Sequence, residues 1–85
     1  MYPFLSFAEL ERWLPMIRKY KVSLRARQPH QFLSVYSKHG SQLPIKWEQK
    51  RNNFISRHLV QYRHNPTIRR RLALITWAFD PEYHD

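Results

Sequence analysis

Residues 44–79 read PIKWEQKRNNFISRHLVQYRHNPTIRRRLALITWAF, and this stretch decides the fold. Phe54, Ile55, His58, Leu59 and Tyr62 recur at helical spacing, and Trp47 extends the stripe backwards by seven residues. That period belongs to an amphipathic helix with one face inward, not to a strand. Pro44 lacks a backbone N–H and has its φ preset, so it suits the opening of this helix, which should reach about His64. Asn65-Pro66 breaks it and starts another almost at once, with Asn65 as the expected cap. Ile68, Leu72, Ile75 and Phe79 then line an inner face until Asp80-Pro81 ends the helix. Two helices joined this tightly have the layout of a helix-turn-helix, and equally of any αα corner in a small bundle.

Working back toward the N-terminus, the pattern stays helical. Ser6 and Glu9 have capping-box spacing, and Leu5 and Leu10 occupy the two positions of a hydrophobic staple. Phe7, Leu10, Leu14 and Ile17 follow as an inward stripe, interrupted by Pro15, where a kink or restart is expected. A short helical turn capped by Ser23 is expected between Val22 and Gln28. Pro29 opens a further helix with Phe32, Leu33 and Tyr36 on one face, and Gly40 stops it. Strand signals are weak. The expectation is an all-α, single-domain bundle of about four helices spanning residues 1–85, with an acidic tail at residues 80–85.

Composition narrows the chemistry. With 85 residues the core is thin, but three Trp, five Phe and five Tyr supply much buriable area. Trp13, Trp47 and Trp77 are expected to pack, as are Tyr36 and Tyr62 with their hydroxyls at the rim. The chain has no cysteine, which excludes disulfides, thiolate metal sites and cysteine nucleophiles. Its apolar runs fall far short of the roughly 18 residues of a spanning helix, and no signal peptide is evident, so a cytoplasmic protein without integral membrane association is expected. His30, His39, His58, His64 and His84 include no pair at ligand spacing, and the single glycine cannot form a phosphate-cradling loop. Six carboxylates, mostly terminal, do not suggest paired acid/base work. Neither an enzyme nor a cofactor is expected.

Charge is the remaining signal. All fifteen Lys and Arg lie between Arg12 and Arg71, where Glu48 is the only carboxylate, so this middle region carries about +14. Such a body repels itself, and a polyanionic partner relieves the repulsion. Three groups of candidate residues emerge. Thr67, Arg69, Arg70 and Arg71 stand at the start of the last helix, where the dipole disfavours cations and favours a bound anion. Lys46, Lys50, Asn53 and Arg57 recur at four, three and four residues and share a helix face, with Arg51 beside them. Arg25 and Arg27 close a basic run with Arg18, Lys19 and Lys21. The expectation is a nucleic-acid-binding module, for DNA or RNA, acting mainly through the phosphate backbone. Base reading by the last helix is less natural, because it is short and apolar after Arg71. The competing expectations are an interaction subunit with an acidic protein partner or a second copy of the chain, and peripheral binding to an anionic membrane.

Overall fold

The computed structural model describes residues 2–22 and 29–82, with only the backbone described for residues 29–31. Four helices account for most of it: α1 (Phe7–Lys19), α2 (Pro29–His39), α3 (Ile45–His64) and α4 (Ile68–Ile75). Among the described residues there is no strand. The protein is a small all-α bundle. The expected turn capped by Ser23, and Arg25 and Arg27 with it, lie outside the described residues.

Local chemistry sets the helix starts. The Ser6 hydroxyl accepts from the Glu9 N–H at 3.2 Å, and the staple residues Leu5 and Leu10 are both buried. α1 runs through Pro15 without a restart. Pro15 and Glu11 are both exposed, so the carbonyl left without its donor faces water. At the corner between α3 and α4 the expected cap moves: Asn65 closes α3, and Thr67 caps α4 by accepting from the Arg70 N–H at 3.2 Å.

Helix ends follow one device used three times. Gly40, Lys21 and Ala78 adopt φ of 61°, 49° and 60°, one, two and three residues beyond the last residue of α2, α1 and α4 respectively. At α4 the Phe79 N–H returns to the Leu74 carbonyl and the Ala78 N–H to the Ile75 carbonyl, the paired bonds of a Schellman motif. Val22 and Lys21 make the equivalent bonds to Ile17 and Arg18. α4 therefore stops at Ile75, one turn before the expected end at Asp80. The left-handed residue that ends it is alanine, not glycine, which gives no stop signal in the sequence.

α4 is the central element, packed against both α1 and α3. Leu72 and Ile75 enter the larger core with Leu5, Leu10, Ile17, Phe32, Tyr36 and Trp77. Leu74 joins Ile55, Leu59, Tyr62 and Phe79 in a smaller one. A chain of rings runs across the larger core. Tyr36 lies between Phe4 and Phe32 at 5.6 Å from each, Phe32 meets Trp77 at 4.9 Å, and Trp77 meets Phe54 at 5.1 Å. Phe54 stacks on His58 at 4.0 Å, so the chain runs from the buried core to the partly exposed edge of α3.

Candidate nucleic-acid interface

The basic residues divide into those the fold uses and those it leaves at the surface. Arg51, which the spacing sets beside the exposed basic face, is instead only 1% exposed. One residue rotates a helix by about 100°, and Arg51 sits four residues before Ile55 on the buried stripe. Its Nε donates to the Trp77 carbonyl at 2.7 Å, and its terminal nitrogens donate to the carbonyls of Tyr2, Pro3 and Ala78 at 2.8–3.0 Å. The guanidinium also lies 3.7 Å over the Phe4 ring. Burial pulls its pKa down to about 10, with the nearby Tyr36 phenol opposing that fall, so it is charged at neutral pH. A helix end and an extended N-terminal segment both present carbonyls without helical partners, and a five-donor fork satisfies them together.

Arg71 is likewise taken up. It makes a two-bond ion pair with Asp80, both contacts 2.9 Å, and lies 4.9 Å over the Trp13 ring. That pairing raises its pKa further above the ordinary guanidinium value. Arg70 donates to the Asn65 carbonyl at 3.1 Å. Thr67 already accepts from the backbone, and of the three arginines Arg69 is exposed while Arg70 and Arg71 are partly buried. The start of α4 thus does not gather three guanidiniums into one anion site. Consecutive helical residues point about 100° apart, and two of the three are engaged within the fold.

The α3 face keeps its grouping. Lys46, Lys50, Asn53 and Arg57 are all exposed and fall within an arc of about 60°. Among the described residues, none of the three cations has a carboxylate partner. Lys50 Nζ lies 4.7 Å from the centroid of the Trp47 ring, so the basic face borders directly on the aromatic edge of the helix. There Lys50, Asn53 and Arg57 line a shallow groove of about 320 Å³ together with Trp47, Phe54 and Trp77. Trp77 comes from the turn after α4, which is why the groove is not visible from α3 alone. Its indole N–H is buried and has no hydrogen-bond partner among the described residues.

Of the sequence-predicted residues, the structure therefore brings Lys46, Lys50, Asn53 and Arg57 together and separates Arg69, Arg70 and Arg71 by role. Pairing of the α4 arginines with the acidic tail at residues 80–85 is the alternative to anion binding there, and Arg71–Asp80 is such a pair. Sequence reasoning missed Arg51 as a structural residue and Trp77 as part of the groove. The first was signalled by Arg51, Ile55, Leu59 and Tyr62 at spacings of four, four and three, all of which are buried. No group of three or more His, Cys, Asp or Glu able to hold a metal occurs among the described residues. No helix among them is long and apolar enough to cross a membrane. No protein-family model, no curated protein and no solved structure matches the chain.

Proposed function

We propose that this protein is a non-catalytic nucleic-acid-binding module that holds the phosphate backbone along the exposed face of α3. The observation that carries this reading is the set Lys46, Lys50, Asn53 and Arg57, exposed on one face and not neutralised by any described carboxylate. Eleven residues of helix separate Lys46 from Arg57, about 16 Å, which is the axial rise of roughly five nucleotides of one strand. Cations spaced over that length can meet several phosphates at once. Arg69 adds a further exposed cation at the start of α4. A partner of this kind implies an intracellular setting, the cytoplasm.

The alternative of a protein interface draws no comparable support. Among the described residues, the large apolar side chains most exposed to solvent are Ile45 and Val60, at 73% and 56%. They stand at opposite ends of α3, about 22 Å apart, and single exposed apolar residues are ordinary surface. The test is the salt dependence of binding to a labelled oligonucleotide. Each phosphate neutralised contributes about 0.7 to the slope of log K against log salt on a single strand. K50Q/R57Q should therefore flatten the slope by about 1.4. An unchanged slope with unchanged affinity refutes the assignment of this face.

A further inference from the structure

The groove beside the basic face carries more than phosphate binding requires. A phosphate needs donors and positive charge, yet half the groove is made of aromatic rings from two separate elements. Phe54 is stacked on His58 at 4.0 Å and on Trp77 at 5.1 Å, so the ring left to a ligand is Trp47. Trp47 is only partly buried and carries the exposed Lys50 ammonium 4.7 Å from its centroid. Trp77 is 7% exposed and is the most deeply set of the six lining residues. The rings are held by one another: Trp47 to Trp77 at 6.3 Å, Phe54 to Trp77 at 5.1 Å. They do not need to be ordered when a ligand arrives.

Resting on the phosphate-binding reading above, we infer that this groove is the seat of one unpaired base of a single-stranded nucleic acid. The base stacks on Trp47, in the place the Lys50 ammonium holds 4.7 Å from the ring centroid, and its flanking phosphates lie on Lys50 and Arg57. Size supports one ring system: about 320 Å³ is at the small end of ligand sites. Charge supports a polyanion, because both cations of the groove are free of described carboxylates. Asn53, between them in sequence, offers an amide donor and acceptor to a base edge. The Trp77 indole N–H, in a residue that lines the groove, is a buried donor with no acceptor among the described residues. Unsatisfied buried donors are uncommon in native folds. A duplex keeps its bases stacked inside and offers no free ring face, so the groove selects single strands.

The experiment compares four probes on the intact protein: an oligothymidylate, an abasic strand of the same length, a duplex of that length and inorganic polyphosphate. Stacking of one base is worth about 1–3 kcal/mol, so the oligothymidylate should bind roughly 5- to 150-fold more tightly than the abasic strand. It should also quench tryptophan fluorescence, which polyphosphate should not. Equal affinity for the base-bearing and abasic strands, without quenching, overturns the base seat and leaves the phosphate reading standing. Failure to bind any of the four overturns both. W47L should retain polyphosphate binding and lose the preference for the base-bearing strand; full retention of that preference also refutes the seat. The comparison on the wild-type chain decides the matter even if the variant does not fold.

Discussion

Replacing Arg51 by methionine is the substitution whose outcome the structure specifies most fully. Methionine keeps an unbranched side chain against Phe4 and removes every donor. The Ala78 carbonyl keeps one partner, the Leu5 N–H at 2.8 Å. The carbonyls of Tyr2 and Pro3 are bonded in partly buried surroundings that water can reach, so each bond lost costs about 0.5–1.5 kcal/mol. The Trp77 carbonyl is bonded in a buried setting, where an acceptor left without a donor costs about 1–3 kcal/mol. Relief of the buried charge offsets part of this. A net loss of about 3 kcal/mol results, a large share of the total stability of roughly 4–13 kcal/mol expected for a chain of 85 residues. With a urea m-value near 1 kcal/mol/M, the unfolding midpoint followed by tryptophan fluorescence should fall by about 3 M. R51K keeps a charge but concentrates its donors at one point, and it should lose nearly as much. The loss should also be local, with the Leu5 amide losing hydrogen-exchange protection before the amides of α3. A methionine variant as stable as the wild type, the usual result when an apolar side chain replaces a buried ion together with its partners, would refute the reasoning.

Other outcomes follow from the same geometry. Lys21→Gly removes the strain of a left-handed non-glycine residue and should stabilise by up to about 1 kcal/mol, while Gly40→Ala, with open space around its Cβ, should destabilise by about 1 kcal/mol through φ alone; thermal melts check both. Asp80→Asn leaves Arg71 without its anion in a partly buried pair and should cost about 1–3 kcal/mol, read from urea midpoints. Burial raises the Tyr36 pKa above its ordinary value of 10.0, only partly opposed by the charge of Arg51. The unfolded chain therefore gives up this proton first, and the stability Tyr36 contributes is full below pH 10.0 and is lost as pH rises through its folded pKa. Arg51 works in the opposite direction, since its pKa is lowered to about 10 and unfolding takes up a proton above that pH. Tyr36→Phe removes the first effect and also the phenolate charge that holds the Arg51 pKa up, and both changes act in one direction. Between about pH 8 and about pH 11 the variant should therefore lose less stability than the wild type in urea titrations.

Much of the architecture is legible in the residue pattern because helical periodicity, proline and capping chemistry are local. Ser6, Leu5 and Leu10 act at the start of α1 as their spacing requires. What the pattern hides is set by contacts distant in sequence. Ala78 takes a left-handed conformation because Phe79 and Trp77 are both pulled into the core, and no local preference of alanine announces it. Arg51 is inward because the carbonyls of residues 2, 3, 77 and 78 converge on it, two of them from the opposite end of the chain. The site divides in the same way. The α3 face depends only on helix geometry and is visible in the spacing of Lys46, Lys50, Asn53 and Arg57. The arginines of α4 look alike in sequence and differ in role because Asp80 and Asn65 engage two of them. The groove needs Trp77 from a different element, so no single stretch of sequence contains it.

The most direct measurement is fluorescence anisotropy with labelled single-stranded and duplex oligonucleotides, at low and at near-physiological salt, for the wild type and for K46Q/K50Q/R57Q. All three substituted positions are exposed and have no described ion-pair partner, so helicity and thermal stability should be unchanged. The wild type should bind at near-physiological salt with a preference for the single strand, and the variant should lose that binding. Wild-type binding that is absent, or that survives the triple substitution intact, would contradict the assignment of α3 as the nucleic-acid interface.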